Sequence, residues 1–275
     1  MSVFHLSVRK RYNAAMSVEL VLRLEELAAN AWPAEVVQPL DGWRLRFTQG
    51  VSRRANSVWP HRNDNHYPLP EKVALVEEFY GRYNLPSRYQ ICPAAQPVEL
   101  DAVLAERGYT VDAPTQVQTA EVAIVLRHVR SNRSTAVRLS GAPTPAWLDA
   151  QRQIGQLQEG TANVRQGILQ RIGRGSRAVP VFVLAEVGGE VAGIGLGVYE
   201  GGWLGIFNMM TDPRYRRQGV ATAIVRRLAE WGQEQGAGQV YLQVMDNNTP
   251  AKGLYQGLGF ATLYRYYYRE SSRRK

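Results

Sequence analysis

Cysteine is almost absent. Cys92 is the only one in 275 residues, which excludes an intrachain disulfide and suits a reducing compartment. Histidine is scarce as well, and His61, His66 and Cys92 match no metal-ligand spacing, so no metal is expected. No apolar run approaches the ~20 residues that span a bilayer, and no apolar segment with a cleavage site marks a secretory leader. The expectation is a cytoplasmic protein with no membrane partner. Acids are fewer than bases, 24 Asp and Glu against 33 Lys and Arg, for a net charge of +9. That excess favours an anionic partner, an acidic cofactor or nucleic acid, or reflects nothing specific. Part of it is local, because residues 265–275 hold five bases against one acid, as a solvated tail would. MSVFHLSVRKRYNAAM at the start has no acid and reads as a short disordered arm, faintly similar to a transit peptide, with Met1 and Met16 both open as the start.

What the chain does carry is 45% hydrophobic residues, enough to bury a core in one large or two small domains. VPVFVLAEV, VAGIGLGVY and WLGIFNMMT are apolar runs separated by Gly188-Gly189 and Gly201-Gly202, the pattern of an antiparallel meander. Val220, Ile224, Leu228 and Trp231 then repeat at helical spacing up to Gly236. QVYLQVM is the next strand, and a short helix around Pro250–Leu258 leads through Gly259-Phe260 to a tyrosine-rich last strand. Upstream, AVRLS reads as a strand, and TPAWLDAQRQIGQLQ and ANVRQGILQRIG as helices. RHVRSNRST is polar and aperiodic, which places a domain boundary there and divides the chain into 1–130 and 131–275. In the first half SVELVLRLEELAANAW, EKVALVEEFYGRYN and PVELDAVLAERGY read as helices, and GWRLRFTQG, RRANSVWP and YQIC as strands. Helix, YQIC, helix, Gly108-Tyr109 answers helix, YLQV, helix, Gly259-Phe260, so the fold class is α/β with two copies of one unit.

Arg216-Arg217-Gln218-Gly219-Val220-Ala221 stands where a turn becomes a helix. The first amides of a helix have no intrahelical acceptor, and the peptide dipoles leave partial positive charge there, so the junction suits a phosphate. Gly219 lets a ligand approach the backbone, Ala221 keeps the next inward position small, and two arginines add charge suited to bidentate phosphate contact. A surface loop whose glycine merely allows a tight turn is the competing reading. Gly193, Gly195 and Gly197 alternate onto one strand face, left bare for close approach of a helix or a ligand, with helix packing the preferred use.

These residues resemble the R/Q-x-x-G-x-G/A signature of the GNAT superfamily of N-acetyltransferases. Asn248, Ala251, Leu254, Tyr255, Gly259 and Phe260 are similar to the family's Asn-x-x-Ala-x-x-Leu-Tyr element and Gly-Phe pair, and IFNMMTDP to its preceding strand. The resemblance covers about the last half of the chain. It implies two GNAT-like mixed-sheet units in tandem, each a mostly antiparallel sheet flanked by helices, the second being catalytic. It also implies transfer of an acetyl or other short acyl group from acetyl-CoA to a primary amine on a small molecule or peptide. Pyrophosphate contacts fall on Arg216, Arg217, Gln218, Gly219, Val220 and Ala221. Backbone donors to the thioester oxygen fall on Met209, Met210 and Thr211, whose side chains form either a wall for the pantetheine arm or plain core. Asn248 would cap the short helix and touch the coenzyme. Tyr255 would protonate the leaving thiolate, or be a core tyrosine.

The family's frequent glutamate base has no counterpart, since Asn208 stands in its neighbourhood. Glu186, Glu200 and Asp246 are nearby candidates in sequence, and for each the preferred reading is a solvated turn or strand-end carboxylate. The first half lacks the arginine-glycine signature. HRNDNHYPLPEK occupies its place, so this degenerate copy is expected to bind coenzyme A poorly. Arg53, Arg54, Asn56 and Trp59 are its candidates for an acceptor pocket, or for an interdomain contact. Two rival readings remain: an aminoacyl-tRNA-dependent transferase, which the basicity suits, and a non-catalytic acyl-CoA sensor, which the missing glutamate suits.

Overall fold

The computed structural model describes residues 17–129 and 134–272. The proposed boundary between residues 130 and 131, and the Met1 and Met16 alternatives, lie outside these residues. Helix α1 (Val18–Ala31) opens on Ser17, whose hydroxyl accepts the Leu20 amide at 3.1 Å. Strands β1 (Val36–Leu40), β2 (Trp43–Phe47) and β3 (Val58–Trp59) follow, then α2 (Leu69–Gly81), β4 (Arg88–Ile91), α3 (Leu100–Glu106), β5 (Thr110–Glu121) and α4 (Val122–His128). The second half runs β6 (Thr135–Ser140), α5 (Pro145–Ile154), α6 (Glu159–Arg171), β7 (Val179–Val187), β8 (Glu190–Glu200) and β9 (Trp203–Thr211). It continues through α7 (Val220–Glu234), β10 (Gln239–Met245) and α8 (Thr249–Gly257) to β11 (Ala261–Glu270).

The strands form one eleven-stranded sheet in the order β1-β2-β3-β4-β11-β5-β10-β9-β8-β7-β6. The meander β7-β8-β9 is antiparallel as its glycine turns demand. At the centre, the last strand of each half lies in the other half: β11 pairs with β4, β5 pairs with β10, and the two pair with each other. Both copies keep the order helix, strand, helix, exchanged strand. Gly108 and Gly259 enter β5 and β11 with φ of 82° and 90°, a region that suits glycine. The expected tandem of mixed α/β units is present as one continuous sheet.

One sheet face is covered by α1, α5 and α6. Val21, Leu24, Ala28 and Ala31 of α1 recur at helical spacing and share a core with Ile194, Leu196, Phe207, Tyr241 and Tyr264, so the first helix packs on both halves. The other face carries two separate cores, α2 and α3 over the first half and α4, α7 and α8 over the second. No helix among the described residues is long and apolar enough to cross a membrane.

The strand reading of RRANSVWP is corrected, because only Val58 and Trp59 pair. Asn56 explains the loop before them. Its Nδ2 donates to the carbonyls of Thr48, Val51 and Ser52 at 3.2, 2.7 and 2.9 Å, and its Oδ1 accepts the Thr48 and Gly50 amides at 2.8 and 3.0 Å. That buried amide supplies the partners a sheet neighbour would otherwise give. Strands β1 and β5 and helix α4 are additions to the sequence reading.

Candidate active site

Strands β9 and β10 pair in parallel only from Trp203–Gln239 to Ile206–Leu242. Beyond that they part, because the end of β9 stays with β8 while the end of β10 stays with β5. The divergence is built into β9. Phe207 faces Leu196 and Met210 faces Ile194, so two residues, Asn208 and Met209, stand against Gly195, and Asn208 has φ of 47°. A bulge of this kind bends the strand and re-aims its side chains. The wedge opens into a cleft of about 810 Å³ lined by Met209, Met210, Thr211, Arg216, Arg217, Gly219, Val220, Ala221, Asn248 and Tyr255. The edge of β9 that faces the wedge has no strand partner past the point of divergence.

The glycine stripe determines how closely helix α7 sits. A Cβ on Gly195 would stand 2.6 Å from Ile224 Cγ2, and one on Gly197 2.7 Å from Leu228 Cδ2. Helix packing is therefore what the three glycines serve, and α7 is drawn flat onto β8 with its N-terminus at the cleft. Gly219 caps that helix with φ of 81° and supplies no side-chain hydrogen bond. The first helical bond at this end runs from the Ala223 amide to the Gly219 carbonyl at 2.9 Å, so the Val220, Ala221 and Thr222 amides lack helical acceptors. Arg217, with φ of 60°, and Gly219 bend the turn into a concavity of amides. Neighbouring Arg214 is committed to Asp212 and Glu190 at 3.0 and 3.1 Å, whereas Arg216 and Arg217 form no ion pair among the described residues. Gln218 is the one residue of the signature that does not line the cleft. Its Nε2 donates to the Arg214 carbonyl at 3.0 Å and folds the turn.

Tyr255 is 6% exposed, lies edge-on to Phe260 with 5.7 Å between ring centres, and reaches the cleft from α8. Burial pushes its hydroxyl up to about 12, so it stays protonated and able to donate at neutral pH. Among the described residues it has no hydrogen-bond partner. Asn248 caps α8 by accepting the Ala251 amide at 3.3 Å while facing the same cleft. Ile154 and Gly155, at the end of α5, close the cleft from the other side and were not legible in the sequence; a Cβ on Gly155 would lie 3.5 Å from Met210 Cε.

Each sequence candidate for a carboxylate base is engaged elsewhere. Glu186 pairs with Arg138 at 2.9 Å, Glu200 accepts Asn30 Nδ2 at 3.0 Å, and Asp246 accepts Gln116 Nε2 at 2.6 Å. The four first-half candidates are also dispersed. Arg53 is exposed and pairs with Asp112, Asn56 is used up by its loop, and Trp59 is packed between Arg44 and His61. Arg54 alone of the four is seen against the second half, its guanidinium 5.5 Å from the Phe207 ring centre.

Asp64 and His66, in the segment that replaces the pyrophosphate turn, and Asp41, in the turn between β1 and β2, bring ligand atoms within 4.8 Å of one another. A cation is already there, because Lys72 Nζ lies 3.1 Å from Asp41 Oδ2 and 2.9 Å from Asn63 Oδ1, over the Trp43 ring. Burial pushes the Asp41 carboxyl up, but the His66 amide, Lys72 and the His66 ring together outweigh it and hold it at about 2.

A family model described as probable histone acetyltransferase Rv0428c C-terminal matches residues 21–269. The chain belongs to this family. It is an acyl-CoA-dependent acetyltransferase on duplicated GNAT units. It is similar to the uncharacterized N-acetyltransferase YobR of Bacillus subtilis (strain 168), 29% identical over 250 residues that cover 90% of this chain and 98% of that protein. In fold it is similar to a GCN5-related N-acetyltransferase from Kribbella flavida, with a TM-score of 0.69, 13% identity, and 91% and 95% of the two chains covered. A tandem GNAT protein from the clavulanic acid biosynthesis pathway gives a TM-score of 0.59 at 16% identity, over 96% of this chain and 98% of that one.

Proposed function

We propose that the β9–β10 cleft binds acetyl-CoA and that the protein transfers the acetyl group to a primary amine, the second half supplying the coenzyme site. One observation carries this: amides of α7 without a side-chain cap and two arginines that form no ion pair among the described residues converge on one end of a cleft with Tyr255 at its wall. Phosphate oxygens satisfy both sets of donors. Met209 and Met210 give the pantetheine arm an apolar wall.

Acetyl-CoA supplies an activated carbonyl: the amine nitrogen forms a C–N bond as the C–S bond breaks, giving an acetamide and free thiol. Amides alternate between the two edges of β9, so those of Met209–Thr211 turned to the wedge, where no strand pairs with them, are the donors available to the carbonyl oxygen as it takes up negative charge. Tyr255 keeps its proton at neutral pH and delivers it to the departing sulfur. The amine proton leaves to water, since the acidic side chains nearest in sequence are engaged elsewhere. The first half, whose matching segment is filled by Lys72 and Asp41, serves the acceptor side.

The family's description names histones. Acetylation of protein lysines would require a basic tail to approach a protein of net charge +9, with Arg216 and Arg217 beside the cleft, which electrostatics disfavours. Calorimetric titration with acetyl-CoA, comparing the wild type with Gly219→Trp, tests the coenzyme site. The wild type is expected to bind and the variant not to. Binding without thiol release on any amine would favour a sensor, and no binding by the wild type would overturn the proposal.

A further inference from the structure

Behind the wedge, around the α1/α5/α6 side of the sheet, lie several buried donor atoms with no hydrogen-bond partner among the described residues. Trp147 of α5 donates its Nε1 to the Gly195 carbonyl at 3.2 Å, opposite the bulge, and Gly155 at the other end of α5 meets Met210. Gln151 lies one helical turn from each and therefore faces the same strands. It is 2% exposed, and its Nε2 has no hydrogen-bond partner among the described residues. Asn208 Nδ2, in the bulge itself, is buried and without a partner among the described residues, as are Arg165 Nε on α6, one turn before core residues Ile168 and Leu169, and the Nε of Arg54 over Phe207, a side chain that also meets Tyr266. All four atoms are N–H donors. A buried donor left without an acceptor has lost its hydration with nothing in return, so these atoms are explained by a guest that brings acceptors.

Charge narrows the guest. Arg54 and Arg165 form no ion pair among the described residues. Glu25 on this face is 3% exposed, already accepts the Tyr264 hydroxyl at 2.7 Å and Gln90 Nε2, and answers to both Arg46 and Arg54. Its carboxyl is pushed up by burial, which weakens it further as a counter-ion. Arg46 and Arg54 thus share one weakened carboxylate at low dielectric, and an anion with two coplanar acceptor oxygens complements a guanidinium best.

Resting on the acetyltransferase reading above, we propose that the acceptor amine carries a carboxylate and that Arg54 binds it, with Gln151 and Asn208 supplying neutral donors. The amine then points through the wedge toward the thioester, while the carboxylate stays on the first-half side. The degenerate copy is accordingly a specificity element: a residue of its 48–57 loop selects the substrate of the other copy.

The test is a calorimetric titration of the CoA-loaded protein with a panel of N-acetyl amino acids, each against its own C-terminal amide. In the wild type at least one acid is expected to bind about tenfold or more tightly than its amide, the scale of one charge-assisted pair. Arg54→Met should abolish that preference and Arg54→Lys restore part of it, with CoA affinity, measured first in the same cell, unchanged as evidence of folding. No acid binding better than its amide, or a preference that survives in Arg54→Met, would overturn the proposal. Loss of CoA binding by the wild type would instead count against the coenzyme site, so the two failures are distinguishable.

Discussion

Val117 of β5 and Tyr264 of β11 stand opposite each other in an antiparallel pair at the centre of the sheet, although they come from different copies of the repeated unit. Each copy therefore completes the other's sheet. Cut apart, the first half would have β4 and β5 with the strand between them missing, and the second would have the same gap between β10 and β11. Unpaired strand edges of this kind are sticky and marginal. Residues 1–130 and 131–275 made separately are expected to lack a cooperative thermal transition. Co-produced halves should regain one, and the intact chain should unfold in a single step by calorimetry and circular dichroism alike. A cooperative transition in either lone half would contradict the exchange as a stability requirement.

Two glycine substitutions separate packing from propensity. In Gly195→Ala the new methyl meets Ile224 Cγ2 at 2.6 Å and Met209 Sδ at 3.0 Å, so overpacking of about 1–3 kcal/mol is expected in denaturant unfolding. Because Met209 lines the cleft, CoA affinity should fall as well. Gly253→Ala in α8 meets nothing within 4 Å and should instead stabilise by about 0.5–1 kcal/mol.

Much of this was legible because the second half obeys simple periods. The meander follows from its glycine turns, α7 from Val220, Ile224 and Leu228, and the turn that opens α7 from Gly219. Strand β5 was not legible for a physical reason. It is central and covered on both faces, yet reads TVDAPTQVQTAE, because Gln116 and Gln118 bury their amides in a network with Asp246 and Thr262 rather than in apolar contact. Hydropathy cannot register a buried strand whose burial is satisfied by hydrogen bonds. The bulge at Asn208 and the approach of Gly155 depend on pairing registers between distant segments, which no local period encodes.

The arginines of the turn should be separable by titration. Arg216→Gln and Arg217→Gln are each expected to weaken CoA binding about tenfold and to flatten its salt dependence, since each loses a charge-assisted contact. Arg214→Gln should leave affinity nearly unchanged, because that side chain is held by Asp212 and Glu190. Equal losses in all three would mean that only general charge matters.

Asp41 makes acid stability a probe of the first half. Its folded-state carboxyl, near 2, lies below its ordinary value of 3.8, so its contribution is present above pH 3.8 and lost as the pH falls toward 2. The stability difference between the wild type and Asp41→Asn should therefore be constant at neutral pH and shrink through that window. A difference that grew on acidification would show that the Lys72 contact is not what holds the carboxylate.

Tyr255 gives the sharpest test of the chemistry. Tyr255→Phe removes only the hydroxyl, leaving the contact with Phe260, so CoA affinity should persist while kcat falls by roughly 10²–10⁴, the range for loss of a positioned acid. The pH profile carries the sign. Burial pushes this hydroxyl up to about 12, so the acid form is present throughout the working range, and wild-type kcat should rise as the bound amine deprotonates and show no descending limb below about pH 11. A fall nearer the ordinary tyrosine value of 10.0, or an unchanged kcat in the phenylalanine variant, would assign the thiolate's proton to solvent and leave Tyr255 as a wall of the cleft.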